Sequence, residues 1–159
     1  MAIIEEDLYR ACKKNNRSPK SLLQSFEEQQ GSGSLYPDFV GFTRKDGRFR
    51  APDVKTTADA EGNTWVLGID EFPKRTQGTS LNTAPGKFGY TTWFYFVLPQ
   101  DTQIPASLAI EQTGADHDHY SILCKTRMRK DSYEGALDSL ARAALAKSVE
   151  QKRQSLQFE

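Results

Sequence analysis

Gln77-Gly78-Thr79-Ser80-Leu81-Asn82-Thr83-Ala84-Pro85-Gly86-Lys87-Phe88-Gly89-Tyr90-Thr91-Thr92-Trp93-Phe94-Tyr95-Phe96-Val97-Leu98-Pro99 is the stretch on which the reading of this chain turns. Its second half, Thr91 to Leu98, is almost wholly β-branched or aromatic and is bounded by Gly89 and Pro99, the composition and punctuation of a strand. No polar residue alternates between Trp93 and Leu98, so burial on both faces is expected, as in a central strand. The first half sets two small hydroxyls beside Gly78. That fits a Ser/Thr turn or a helix cap. It also fits a polar pocket edge, where a ligand approaches the backbone and meets Thr79 and Ser80.

Upstream, Leu8-Tyr9-Arg10-Ala11-Cys12 satisfies a helical face and a strand alternation alike, so periodicity leaves both open. Ser18-Pro19 predicts a helix start, Leu22, Leu23 and Phe26 its apolar stripe, and Gly31-Ser32-Gly33-Ser34 its end. Thr43 to Arg50 carries an Asp46-Gly47 turn and predicts a short hairpin. Glu61-Gly62-Asn63 is a turn before a strand at Thr64–Leu67. Downstream, Ser107–Ile110 and His119–Cys124 read as strands joined by a polar loop, Glu111 to Asp118. The C-terminal quarter is a helix that Ser132 can cap, with Tyr133, Leu137, Leu140, Ala144 and Val149 at helical spacing.

At 159 residues the chain reads as one domain, 1–159, with core enough to need neither disulfide nor metal. Lysines and arginines number 21 and acids number 21, so no global field draws it to nucleic acid or membrane. The local basic run Lys125, Arg127, Arg129, Lys130 reads as a solvated face or a phosphate contact. Cys12 and Cys124 permit one disulfide at most and form no metal-ligand spacing. No apolar run has the length of a membrane span, and the N-terminus has no signal-peptide pattern. The expectation is therefore a protein acting in a cytosol, reached where necessary through a dedicated secretion system.

Both histidines lie in Asp116-His117-Asp118-His119, a weak metal candidate because no second cluster supplies further ligands. Ser80 with His119 could form a nucleophile pair, but no Gly-x-Ser-x-Gly accompanies it. Neither a dinucleotide-fold glycine fingerprint nor a phosphate loop is present.

Five short pieces, in order, carry a resemblance: Leu8-Tyr9-Arg10-Ala11, Arg50-Ala51-Pro52-Asp53-Val54, Gly78-Thr79-Ser80, Val97-Leu98-Pro99 with Ile104-Pro105, and His119-Tyr120 before the terminal helix. The chain resembles the type VI secretion effector toxins of the second exported class, known from Pseudomonas. The resemblance implies an α+β, ADP-ribosyltransferase-like fold of two small, roughly perpendicular sheets with flanking helices. It implies NAD as substrate and modification of a component of the target cell, with growth arrest. By the family pattern Thr79, Ser80 and His119 are the catalytic set, and Arg10 is the arginine that holds the dinucleotide. Tyr9 or Tyr120 is then placed to stack on nicotinamide. A neutralising immunity protein follows as partner. One departure stands out: many ADP-ribosyltransferases set a glutamate on a late strand, where this chain has His119, and Glu111 lies outside the matched motif. An NAD glycohydrolase, or a binding toxin that kept the cleft, are the alternatives.

Overall fold

A computed structural model describes residues 2–13, 33–71, 78–114 and 117–151. The helix expected from Ser18 to Gly31 lies outside the described residues. Five strands form the main sheet: β1 (Leu8–Lys13), β6 (Thr79–Asn82), β7 (Trp93–Leu98), β8 (Leu108–Gln112) and β9 (His119–Cys124). Their order is β7-β1-β6-β9-β8, and every neighbouring pair is antiparallel. A three-stranded sheet runs β10 (Met128–Arg129), β5 (Thr64–Val66), β4 (Thr56–Ala58), and β2 (Phe42–Thr43) pairs with β3 (Phe49–Arg50) as a hairpin. β10 feeds directly into α1 (Lys130–Gln151), the one helix among the described residues. Among the described residues the strands precede the helix, which is the α+β arrangement expected.

The ambiguity at Leu8 is resolved as strand, and its cause is visible. β1 lies inside the sheet, registered along its whole length on β7 from Leu8↔Leu98 to Lys13↔Trp93, and it also pairs with β6 at Tyr9↔Asn82. A strand covered on both sides has no reason to show clean alternation.

One face of the sheet, with Leu8, Leu81, Phe96, Leu98 and Ile122, packs on Tyr133, Leu137, Leu140 and Ala144 of α1. Each fully buried leucine there is worth about 1.5–3 kcal/mol by area. On the other face Tyr9, Tyr95 and Val97 form a second cluster with Ala11 and Trp93. The connection between β6 and β7 folds over that cluster. The Tyr95 hydroxyl accepts from Phe88 N (2.9 Å) and donates to Gly89 O (2.8 Å), while Phe88 stacks on Trp93 at 5.0 Å.

Four expectations need correction. β7 is not central: it pairs only with β1 among the described residues, and its burial comes from α1 on one face and the β6–β7 connection on the other. Glu111 belongs not to a loop but to β8, because pairing with β9 continues through Glu111↔Ser121 and Gln112↔Tyr120. Ser132 does not cap α1. The helix starts two residues earlier, straight from β10, and Ser132 N donates to Asp131 Oδ1 (2.8 Å). Val149 is 56% exposed, and Ser148 takes the buried place beside Leu145. Both cysteines are free.

Candidate active site

Side chains alternate along a strand, so Thr79 and Ser80 cannot share a face, nor can Tyr9 and Arg10. Register decides which residues do. Tyr9 opposes Asn82, Ser80 opposes Ser121, Asn82 opposes His119, and Glu111 opposes Ser121. Ser80, Asn82, His119, Ser121 and Glu111 therefore stand on one face, the face that Tyr9 shares. Arg10 and Thr79 stand on the other, toward α1. The expected set is thus divided by the sheet: Tyr9, Ser80 and His119 come together, and Arg10 with Thr79 form a separate pair.

Thr79 is fully buried, and its hydroxyl donates to the Leu35 carbonyl. It ties β6 to the segment before β2. Gly78 has a related reason. A Cβ there would lie 2.0 Å from the Ile122 carbonyl, so the open side of this glycine is filled by β9 and not by a ligand. Arg10 is half-buried. Nη1 donates to the Ser80 carbonyl (3.3 Å) and Nη2 to the Tyr36 carbonyl (3.1 Å), while Nε has no partner among the described residues. No carboxylate pairs with it among those residues. Tyr36 in turn donates to Asp138 Oδ2 of α1 (2.7 Å), so Arg10 sits in a backbone lattice joining β1, β6 and the helix.

On the opposite face the hydroxyls are linked. Thr113 Oγ1 lies 2.7 Å from Ser121 Oγ and 3.0 Å from His119 Nδ1, and His119 Nδ1 is 3.2 Å from the Thr113 carbonyl. A carbonyl can only accept, so the contact with it is one to which Nδ1 donates, while the Thr113 hydroxyl can take either role. Ser80 and His119 share the face but make no hydrogen bond to each other, so the nucleophile pair is not formed. Asn82 Oδ1 accepts from Lys87 Nζ at 3.5 Å, which brings the β6–β7 connection to the edge of the strip. Tyr9 is buried beneath that connection, and Tyr120 points with Leu81 toward the core.

Asn82, Thr113 and Ser121 escaped the sequence reading, and so did the placement of Glu111. A signal existed: His119-Tyr120-Ser121-Ile122-Leu123-Cys124 alternates, with its polar members two apart. Among the described residues no group of three or more His, Cys, Asp and Glu could hold a metal ion. The same residues contain no helix long and apolar enough to cross a membrane.

The α+β architecture, with its five-, three- and two-stranded sheets and terminal helix, is that of an ADP-ribosyltransferase-like fold. A family model described as the Tse2 ADP-ribosyltransferase toxin matches residues 6–149, and the chain belongs to that family. Comparison with curated proteins gave no match.

Proposed function

We propose that the protein cleaves the nicotinamide–ribose bond of NAD and transfers ADP-ribose to a component of the target cell, arresting its growth. The observation that carries this reading is the strip across β6, β9 and β8, where Ser80, Asn82 and His119 stand beside Glu111 on one face. Bond cleavage builds positive charge on the ribose, and hydroxyl, amide and imidazole groups can fix its hydroxyls. Glu111 offers that charge a carboxylate, the group the family motif omits at His119. His119 adds an imidazole hydrogen-bonding group for a ribose hydroxyl. Arg10 acts from behind the sheet, holding the Ser80 carbonyl in place, and Thr79 fixes the same strand through Leu35. Tyr9 supports the strip from under the β6–β7 connection. Delivery by a type VI machine and a neutralising immunity protein complete the reading.

The test is nicotinamide release from NAD by pure protein, with and without target-cell lysate. Release that rises with lysate, and falls at least tenfold in Ser80→Ala and in Glu111→Gln, is the expected result; tenfold corresponds to about 1.4 kcal/mol of barrier. Release independent of lysate would mean that water is the acceptor. No release with retained toxicity on expression would leave a binding toxin, and the strip would lose its catalytic role.

A further inference from the structure

We propose that the β2–β3 hairpin is a docking finger for single-stranded nucleic acid. Between Asp38 and Asp53 the chain has four cations, Arg44, Lys45, Arg48 and Arg50, and one acid, Asp46. Only Arg50 is committed inward. Its Nη2 donates to Asp53 Oδ1 (3.0 Å), and Asp53 Oδ2 accepts from Asp38 N (2.8 Å), so the base of the hairpin is pinned. Arg48 N donates to Asp46 Oδ1 (2.9 Å), but the Arg48 guanidinium and the Asp46 carboxylate approach only to 4.0 Å with both side chains largely in water, an ion pair worth little. Arg44 and Lys45 are exposed at the turn, where Gly47 takes φ 87°. The other basic run is occupied differently: Arg127 pairs with Glu71, and Arg129 donates to Asn63 Oδ1.

The aromatic residues of the hairpin are equally uncommitted. Phe49 is 69% exposed and Phe42 47%. A Cβ on Gly41 would lie 2.4 Å from Cζ of Phe49, so the ring lies against bare backbone on one side and presents the rest to solvent. Register sets Phe42 opposite Arg50 and Phe49 opposite Thr43, which places the two rings on opposite faces of the ribbon. A protein groove would be met by one contiguous apolar patch. Two separate rings on a hairpin that also carries Arg44, Lys45 and Arg48 suit a chain of stackable bases with charged phosphates between them. Lys130 is a further cation engaged with an aromatic ring just before the hairpin, its Nζ 4.7 Å from the Phe39 centroid. The zero net charge of the whole chain is compatible with this, because the attraction is local.

The experiment is fluorescence anisotropy of a short labelled oligouridylate titrated with the full chain. NAD is absent, so the outcome does not depend on the proposed chemistry. Expected is saturable binding whose log K falls with log salt at a slope of about −2, from three cations at about 0.7 each. Phe49→Ala and Gly41→Ala should each weaken binding about five- to a hundredfold, the worth of one stacked base. Replacing Arg44, Lys45 and Arg48 together by glutamine should flatten the slope, and Arg127→Gln should change nothing. Thermal melting checks that each variant is folded. No binding at about 50 mM salt, equal loss in Arg127→Gln, or equal competition by polyglutamate or duplex DNA would each overturn the proposal.

Discussion

At the scale of single residues, Thr79 and Ser80 are neighbours with unlike duties. Thr79 donates its only hydroxyl proton to a buried carbonyl, so Thr79→Val leaves that carbonyl unpaired and should cost about 1–3 kcal/mol of stability. Ser80 is half-buried on the strip, and Ser80→Ala should melt within about 0.5 kcal/mol of the parent while losing activity. Thermal melts set beside nicotinamide release decide the matter; a Ser80→Ala variant as destabilised as Thr79→Val would make both residues structural. Sequence singled out the pair but treated it as one unit. Its division follows from β6 being a strand, and Gly-Thr-Ser in isolation looks as much like a turn. Arg10 was legible as special only through the resemblance, since nothing in Leu8–Cys12 tells that its guanidinium meets two backbone carbonyls.

At the scale of elements, local chemistry was read well where it is self-contained. The Asp46-Gly47 and Glu61-Gly62-Asn63 turns sit where their residue types demand, with both glycines at positive φ. β9 has the bounds its alternation suggests. What sequence did not yield is partnership: the aromatic run of β7 announces burial, but burial comes equally from neighbouring strands and from covering layers. The helix shows the same division. Leu137 and Leu140 are fully buried, so Leu140→Ala should lose about 2–5 kcal/mol in a denaturant titration. Val149→Ala, on the solvent side, should stay within about 0.5 kcal/mol. Similar losses at the two positions would mean that the last turns of α1 are covered by something more.

At the scale of the whole molecule, the two thiols make a statement about alkaline pH. Burial pushes both Cys12 and Cys124 up to about 11, against a usual 9.0; Arg10 opposes the shift at Cys12. The unfolded chain therefore ionises its thiols first. Their contribution to stability is complete below 9.0 and is lost as pH climbs toward 11. The melting-temperature advantage of the parent over a Cys12→Ala, Cys124→Ala double variant should narrow across that interval; a constant gap would clear the thiols of any part in it. The order of strands has a further consequence, for time. β1 ends at Lys13 yet pairs with β7, which ends at Leu98. At about 5–20 residues per second, the first strand made waits on the order of 4–17 s for its neighbour to be synthesised. His119 follows later, and α1 later again. The main sheet of a nascent chain thus stays incomplete for most of its translation. Its five strands can stand in register only once β9 has been made, late in the synthesis of the chain.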